Sequence, residues 1–259
     1  MKKNNYLARD KLSSTYSEAR TVDEEEIKRF SSLADEWWAP EGSFSMIHKL
    51  NPIRESYVRR SITEHFSIQK KSLHAFAGLR VLDVGCGVGF LCEYLAQMGA
   101  TVTGVDAVSE HIEIARQHAK NSNLSINYRH CLAEHVLADG QSFDVVLNTE
   151  VIEHVADQEQ LMKDCVGLLN ANGLLVVATL NRTIRAFLIA ILGAEYILGW
   201  LPKGTHSWER FVRPEEITAM ISPYGLRTRE VMGVVYNPVN RKWGLSENSS
   251  VNYMLKASR

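Results

Sequence analysis

Short apolar runs alternate with segments of helical spacing from residue 80 onward, and this alternation limits the fold more than any other feature of the sequence. Four runs rich in valine and leucine predict buried strands: Arg80–Asp83, Thr101–Asp106, Ser142–Asn148 and Leu174–Leu180. Three segments between them have apolar residues at helical intervals: Gly89–Met98, Val108–Asn121 and Asp157–Leu169. Strands that alternate with helices form right-handed βαβ units around a parallel sheet. The sequence therefore predicts an α/β domain.

The segments on both sides of this region predict further helices and strands. Residues 1–20 are polar and are expected to be flexible, so the domain is predicted over residues 21–259. A capping pattern that starts at Thr21 opens a helical N-terminal extension, and a second helix is expected after Asn51-Pro52. Two more strands are expected in the tail, over Leu226–Tyr236 and Val251–Ala257.

Charge and cysteine content argue against several classes of protein. The 29 lysines and arginines against 30 aspartates and glutamates give a net charge of −1. This argues against a nucleic-acid partner, because proteins that bind nucleic acid carry a cationic excess. The four cysteines form no CxxC pair, so a reducing compartment is expected. No secretory signal is expected in the polar N-terminus. We therefore predict a cytoplasmic protein, with the mitochondrial matrix as the alternative.

Three alternating glycines follow the first predicted strand and open the next helix. Gly85, Gly87 and Gly89 allow a tight turn and let a ligand approach the backbone, because no Cβ stands in the way. Asp106 ends the next strand about twenty residues on, where a carboxylate can accept both hydroxyls of a ribose. A loop that used glycine for turn geometry alone would not need this acid. The combination predicts a nucleoside-binding site formed by these four residues.

The residues around the loop indicate which nucleoside-like ligand binds. A dinucleotide-binding loop has its third glycine at the sixth position of the motif, where this chain has Phe90. Asp83 precedes the first glycine, and its charge would repel a diphosphate but suit a cation such as a sulfonium. S-adenosylmethionine carries such a sulfonium. We therefore predict S-adenosylmethionine as the cofactor rather than NAD or FAD, with Asp83 among its binding residues.

A cluster of acidic and histidine residues follows the predicted fourth strand, at the edge where α/β sheets bind ligands. If the chain turns helically there, Glu150, Glu153 and His154 share one face and could hold a divalent cation, Mg²⁺ or Mn²⁺ in preference to Zn²⁺. A metal there would acidify a phenol or catechol hydroxyl. Alternatively, His154 alone acts as a general base, or the three residues only cap and solvate the next helix. The spacing leaves these interpretations open, and the candidate catalytic residues are His154 and Glu150.

The most apolar stretch of the chain, residues 182–203, follows the predicted fifth strand. A glutamate and two glycines interrupt it, so it is not expected to span a bilayer, which takes about 20 apolar residues with few charges. Basic residues flank it: Arg182, Arg185 and Lys203. This arrangement suits a segment that lies in the interface of an anionic membrane or covers an apolar substrate. A buried core helix is the alternative interpretation.

Nine stretches along the chain form a combined pattern: Glu36–Trp38, His48–Arg54, Val81–Gly87, Thr103–Asp106, Glu150–His154, Thr179–Arg182, Gly193–Leu198, Pro202–His206 and Val251–Met254. In this order they resemble the ubiquinone biosynthesis O-methyltransferases of bacteria and mitochondria, a family of class I S-adenosylmethionine-dependent methyltransferases. The resemblance covers nearly all of the chain from about residue 21. The apolar insert and the C-terminal Val-Asn-Tyr-Met are far more specific than the glycine loop.

The resemblance implies a fold and an activity. The fold is a Rossmann-like seven-stranded sheet whose last strand is antiparallel. The activity is transfer of a methyl group from S-adenosylmethionine to hydroxyls of polyprenyl catechol and demethylubiquinol intermediates, at both O-methylation steps of the pathway. Glu150, Glu153 and His154 correspond to the family's divalent-metal ligands, which suggests Mg²⁺ or a similar cation as a second cofactor.

The resemblance also implies a location and a set of donor contacts. The insert at 182–203 matches the family's membrane-associating region, so we expect a protein peripheral on the inner membrane, with the anionic membrane surface and an assembly of ubiquinone-biosynthesis proteins as partners. Arg54, Gly85 and Asp106 would bind the donor, with Thr149 near the adenosine, although the family usually has an apolar residue at that position. Glu134 falls where the superfamily often touches the adenine.

Three other functions compete with a membrane-associated, metal-assisted O-methyltransferase. The first keeps the donor but methylates another small acceptor on carbon or nitrogen, and the metal triad and the apolar insert argue against it. The second is a nicotinamide oxidoreductase, which Asp83 and the missing sixth glycine oppose. The third is a membrane-bound sensor that binds the nucleoside without catalysis.

Overall fold

Five parallel strands joined by helices form the first half of the central sheet in the computed structural model. The structure describes Thr21 and residues 23–32, 45–69, 74–187, 208–237 and 242–259. The predicted flexible segment 1–20 and the larger part of the predicted insert, residues 188–203, lie outside these described residues, so both stay predictions.

The described strands include all six that the sequence predicts. In chain order they are β1 (Arg80–Val84), β2 (Thr101–Asp106), β3 (Asn127–His130), β4 (Phe143–Thr149), β5 (Leu169–Leu180), β6 (Arg227–Asn237), β7 (Lys242–Ser246) and β8 (Asn252–Ser258). The apolar runs fall in β1, β2, β4 and β5 because helices cover both sides of a parallel sheet and bury nearly every residue of such strands. β3 has no apolar run, since its sequence is Asn-Tyr-Arg-His.

Five of the described helices lie in segments that the sequence predicts to be helical, with one correction at the N-terminal side. They are α1 (Glu24–Ser32), α2 (Ser45–His65), α3 (Phe90–Gln97), α4 (Ser109–Asn121), α5 (Ala133–Ala138), α6 (Gln158–Gly167), the short α7 (Ile184–Ala186) and α8 (Pro214–Ile221). The prediction that the second helix starts after Asn51-Pro52 was wrong, because α2 runs from Ser45 through Pro52. Packing of Tyr57, Val58 and Ile62 against the sheet outweighs the local cost of the proline.

The sheet has eight strands among the described residues rather than the expected seven, in the order β3-β2-β1-β4-β5-β8-β6-β7. The last strand, β8, is antiparallel to both β5 and β6, as the resemblance implies. The additional strand is β7, which pairs with β6 and lies in the chain between the two strands predicted for the tail. Its Trp243 and Leu245 alternate with polar or small residues, which is the pattern of a half-buried edge strand.

Two apolar layers cover the sheet. On one side α5, α6 and α8 pack on residues such as Leu82, Val146 and Leu175. On the other side α2, α3 and α4 pack on residues such as Val81 and Val145. Neighbouring residues of one strand thus face opposite layers, as strand geometry requires. The carboxyl ends of β1, β2, β4 and β5 meet at one edge of the sheet, which is the edge where a parallel α/β fold can hold a ligand.

The first residues of the predicted insert leave this same edge after β5. Ile184 is 76% exposed and Phe187 is 38% exposed, and the Phe187 ring meets Trp208 edge-on at 6.5 Å between ring centroids. A helix with the length and apolar character needed to cross a membrane is not found in the described parts of the chain.

Candidate active site

A cavity opens at the carboxyl edge, between the glycine loop after β1, the end of β2, the start of α5, helix α1 and the turn after β4. Six polar or glycine residues of its lining are Glu26, Gly85, Gly87, Asp106, Glu150 and His154. Five of these six were candidates from the sequence. Glu26 was not.

The glycine loop is shaped by two close approaches that only glycine permits. Gly85 has φ +72°, and a Cβ there would lie 2.2 Å from Cγ2 of Val151. Gly89 has φ +91°, and a Cβ there would lie 2.1 Å from the Tyr128 hydroxyl. The N–H groups of Gly85 and Cys86 both donate to the Val105 carbonyl, at 2.8 and 2.9 Å, which ties the loop to β2. The loop backbone is therefore fixed beside the cavity with no side chain in the way.

Asp106 is held with its carboxylate at the cavity. Its Oδ2 accepts the Gly87 N–H at 2.9 Å and its Oδ1 accepts the Val108 N–H at 2.8 Å. His111 Nδ1 lies 3.3 Å from the same Oδ1. Two backbone donors orient this largely buried carboxylate, and its Oδ2 keeps a further lone pair for a ligand. This arrangement suits a group that presents two neighbouring hydroxyls, as a ribose does.

Asp83 does not line the cavity, so its contact with the ligand stays a prediction. Strand alternation is the reason: Asp83 lies on the same face of β1 as Val81, whereas Val84 faces the cavity. The Asp83 carboxyl is almost fully buried, and the Cys92 thiol donates to its Oδ2 at 3.4 Å. Burial raises the pKa of Asp83 to about 7, so the carboxyl keeps its proton well above the pH at which an exposed aspartate loses it.

The raised pKa predicts how stability depends on pH. From its ordinary value of 3.8 up to about 7, the folded protein holds a proton that the unfolded chain releases, so Asp83 destabilises the fold progressively as pH rises. Asp83→Asn should therefore raise the free energy of unfolding by about 2–4 kcal/mol more at pH 8 than at pH 4.5. Urea denaturation at the two pH values measures this difference. The matched control is Asp139→Asn, since Asp139 forms an exposed ion pair with Arg129. If Asp83→Asn raised the free energy of unfolding equally at both pH values, the prediction would be contradicted.

The turn after β4 differs from the predicted helical turn. Glu150 has φ +56°, and its N–H donates to the Ala178 carbonyl on β5 at 2.8 Å. A 3₁₀ turn, Ile152–His154, begins only afterwards. Glu150 therefore precedes the turn in a left-handed conformation, and the expectation that Glu150, Glu153 and His154 share one helical face was wrong. The hydrogen bond from the Glu150 N–H to Ala178 of β5 fixes the backbone of Glu150 outside a helix.

Glu150 lies between two cavities. Its Oε1 accepts a hydrogen bond from Arg54 Nη2 of α2 at 2.5 Å, and the Arg54 side chain is only 11% exposed. Both residues line a second, smaller cavity on the α2 side of the sheet, together with Leu50, Ala178, Val234 and Met254. Glu150 also lines the larger cavity. Arg54 thus borders the smaller cavity only, and Thr149 borders neither.

Glu153 is turned into the protein interior. Thr179 donates to its Oε2 at 2.9 Å, and its Oε1 has no hydrogen-bond partner in the described structure. Burial raises the pKa of Glu153 well above its usual range, and the nearby charge of Glu150 raises it further. Glu153 therefore holds its proton more tightly than an exposed glutamate does.

His154 points back toward the N-terminal helix. Its Nδ1 lies 2.8 Å from Oε2 of Glu26 on α1. Glu150 contacts Arg54, Glu153 contacts Thr179 and His154 contacts Glu26. The three side chains of the predicted metal triad therefore do not converge on one point. Among the described residues, no group of three or more histidine, cysteine, aspartate or glutamate side chains could hold a metal ion. As arranged here, these residues do not fit a divalent cation.

Glu134, the proposed adenine contact, begins α5 but does not line the larger cavity, whose wall there is formed by Cys131, Leu132 and Ala133. Its charge instead contributes to raising the pKa of Asp164, after the larger effect of burial. The apolar wall is better suited to a flat aromatic base than the glutamate is.

Comparison with known proteins places this fold and site in a class. A family model described as a methyltransferase domain matches residues 82–177. Magnesium protoporphyrin IX methyltransferase from Synechocystis PCC 6803, solved with bound SAH, has a TM-score of 0.60 at 18% identity over 99% of this chain and 100% of that one. The PH0226 protein from Pyrococcus horikoshii OT3 has a TM-score of 0.59 at 16% identity, over 89% and 98% of the two chains. The fold and the site define a class I S-adenosylmethionine-dependent methyltransferase.

Closer relatives resolve the family. A protein from Chelativorans sp. (strain BNC1) is 47% identical over 92% of this chain and 94% of its own length. A protein from Parvibaculum lavamentivorans is 48% identical with the same coverage. Both are named ubiquinone biosynthesis O-methyltransferase. The chain belongs to this family of O-methyltransferases.

Proposed function

We propose that this enzyme methylates hydroxyls of polyprenyl catechol and demethylubiquinol intermediates, with S-adenosylmethionine as donor, at both O-methylation steps of ubiquinone biosynthesis. The observation that carries the proposal is the match at 47–48% identity, over nearly the full length, to relatives named for this activity. The larger cavity supports it, since the glycine loop, the Asp106 carboxylate and the apolar wall of this cavity suit a nucleoside donor.

The donor occupies the larger cavity in this proposal. Asp106 accepts the ribose hydroxyls, and Gly85, Gly87 and Gly89 let the nucleoside approach the loop backbone. The Arg54 guanidinium, which already binds a carboxylate on Glu150, suits the carboxylate of the donor's methionine moiety. Asp83 lies behind the glycine loop and Thr149 lies at the end of β4, so in this proposal neither side chain contacts the donor directly.

The chemistry is a direct in-line displacement. The acceptor oxygen attacks the methyl carbon, the new C–O bond forms as the C–S bond breaks, and sulfur takes the electron pair to leave S-adenosylhomocysteine. The hydroxyl proton goes to His154 Nε2, which acts as general base. Glu150, which lines the larger cavity together with His154, orients the acceptor. Much of the acceleration comes from holding the oxygen and the methyl group in line.

Assistance by Mg²⁺ or a similar divalent cation stays a prediction. Glu150 and Glu153 interact electrostatically, but Glu150 and His154 are engaged by Arg54 and Glu26, so no step of the proposed mechanism depends on a cation. The prediction requires that chelation with EDTA lowers the rate about tenfold or more and that added Mg²⁺ restores it. A rate that does not change on chelation would assign Glu150 and Glu153 to orientation and structure.

The decisive experiment combines the purified protein, labelled donor and a catechol that carries a short prenyl chain, with and without Mg²⁺. The expected product is methylated on oxygen, as fragmentation in a mass spectrometer shows. Absence of methylated product under both conditions would overturn the proposal. Equal methylation of a catechol without the prenyl chain would favour the alternative, a methyltransferase for another small acceptor.

The exposed apolar residues after β5 support a membrane contact, because the acceptor is dissolved in lipid and these residues leave the sheet at the edge that holds the site. Ile184→Asp with Phe187→Asp should lower the partition coefficient onto anionic liposomes about tenfold or more, since burying one such side chain contributes about 1.5–3 kcal/mol. Co-sedimentation measures the partition. The control is Tyr224→Asp, which is 43% exposed and precedes β6 at the opposite edge of the sheet. Unchanged sedimentation of the double variant would contradict the membrane contact.

A further inference from the structure

We infer that His111 is a positioning residue for donor binding, which acts by holding the Asp106 carboxylate in place. The inference rests on the proposed function, in which Asp106 accepts the ribose hydroxyls of the donor. His111 is the third residue of α4, and both side chains line the larger cavity. It was not among the site residues that the sequence predicts.

Two backbone groups and one side chain hold the Asp106 carboxylate. The Gly87 N–H donates to Oδ2 at 2.9 Å, and the Val108 N–H donates to Oδ1 at 2.8 Å. His111 Nδ1 lies 3.3 Å from Oδ1. An ionised carboxylate can only accept a hydrogen bond, so the ring nitrogen is the donor in this contact. The carboxylate is thus held by the glycine loop, by the connection after β2 and by helix α4.

The short connection between β2 and α4 brings the two side chains together. Asp106 is the last residue of β2, and two residues, Ala107 and Val108, separate it from the start of α4. His111 therefore lies in the first turn of the helix, where it is 3% exposed. A first helical turn favours acidic side chains, because the N-terminus of a helix carries a partial positive charge. The helix itself gives no reason for a histidine here, whereas the neighbouring carboxylate does.

The imidazole ring limits the rotation of the carboxylate. The terminal torsion of an aspartate is broad, so a carboxylate with few contacts samples a range of orientations. A donor that meets such a group binds more weakly, because the group must be ordered on binding. The Gly87 and Val108 N–H groups belong to loops, but His111 is carried by a helix whose Ile112 and Ala115 are fully buried in the core. His111 therefore raises donor affinity through Asp106.

Two other roles of His111 would have different consequences. A ring that contacts the donor directly contributes to affinity even when Asp106 is absent. A ring that only stabilises α4 can be replaced without loss of affinity by an apolar side chain, since the position is buried. The positioning role requires the N–H donor of His111 and the carboxylate of Asp106 together.

The test measures the Kd for S-adenosylhomocysteine by calorimetric titration, which needs no acceptor. His111→Leu removes the N–H donor but keeps a branched side chain, and we expect the Kd to rise about tenfold with the Tm nearly unchanged. His111→Asn provides an N–H donor at the place of Nδ1, so its Kd should stay within about threefold of the wild-type value. In the Asp106→Ala background, His111→Leu should change the Kd less than about twofold.

The matched control is His118→Leu on the same helix. His118 Nδ1 also lies close to a carboxylate, at 2.7 Å from Oε1 of Glu93, but this pair does not line the larger cavity. Its replacement should therefore leave the Kd unchanged. If His111→Leu does not fold, His111→Met takes its place in every comparison, because methionine fills irregular apolar gaps.

The outcomes separate failure of this inference from failure of the proposed function. Equal Kd values for the wild type and His111→Leu, or equal losses in His111→Leu and His111→Asn, would overturn the role of His111. An undiminished effect of His111→Leu in the Asp106→Ala background would overturn it as well and would assign the ring to a direct contact with the donor. A wild type that does not bind S-adenosylhomocysteine, or that binds it but does not methylate the prenyl catechol, would instead overturn the proposed function.

Discussion

Replacement of His154 by alanine should lower kcat by about 100- to 10,000-fold, since removal of a positioned general base typically costs that much. The Kd for S-adenosylhomocysteine should stay within about threefold, because the donor's main contacts in the proposed site are elsewhere. The reason lies in the geometry: His154 borders the cavity, and its Nδ1 lies 2.8 Å from Oε2 of Glu26. Steady-state kinetics with a prenyl catechol and calorimetric titration with S-adenosylhomocysteine measure the two quantities.

A second histidine–glutamate pair in the same chain provides the control. His118 Nδ1 lies 2.7 Å from Oε1 of Glu93, but this pair joins α4 to α3 and does not line either cavity. His118→Ala should therefore leave kcat near the wild-type value. If His154→Ala retained more than about a third of the wild-type kcat, a role in proton transfer would be ruled out. If both variants lost activity equally, the effect would be one of folding.

Asp106→Ala has the opposite signature, a large loss of donor affinity. In the proposed complex the carboxylate makes two charged hydrogen bonds to the ribose, each worth about 1.5–3 kcal/mol, so the Kd for S-adenosylhomocysteine should rise about 100-fold or more. The substitution also leaves the N–H groups of Gly87 and Val108 without their acceptor, which loosens the loop that faces the nucleoside. Calorimetric titration measures the affinity, and thermal unfolding measures any loss of stability.

Asp139→Ala is the control for this experiment. Its carboxylate is paired as well, with Arg129 at 2.7 Å, but the side chain is 49% exposed and lies outside the cavity. Exposed pairs of this kind contribute about 0–1 kcal/mol, so neither donor affinity nor stability should change much. An Asp106→Ala protein that binds S-adenosylhomocysteine with less than about a threefold loss would rule out the ribose contact.

Most of the fold could be predicted from the sequence because its parallel strands are buried on both faces. Such strands appear as continuous apolar runs, and the runs that end at Asp106 and Leu180 match the ends of β2 and β5. β3 and β7 could not be found in this way, since an edge strand needs fewer apolar residues. Trp243 and Leu245 were the available signal for β7.

The candidate site was predictable only where its chemistry is local in the chain. The glycine loop and Asp106 carry a recognisable spacing, and the structure places them together. The face on which Asp83 lies, the left-handed backbone of Glu150 and the approach of Glu26 to His154 were not predictable. Each depends on a contact with a distant segment, such as the bond from Glu150 to Ala178, and no local spacing encodes such contacts.

The position of β8 has a consequence for how the chain is made. β8 follows β6 and β7 in the chain but lies between β5 and β6 in the sheet, and its Met254 and Leu255 reach the two opposite apolar layers. Because a ribosome synthesises the chain from its N-terminus, β5 has an open edge and the β6–β7 hairpin has no place in the sheet until residues 252–258 emerge. Open edges and uncovered apolar surface favour aggregation and recognition by chaperones. The sheet therefore cannot be completed before the last residues are made, and a chain that lacks β8 keeps an open edge on β5.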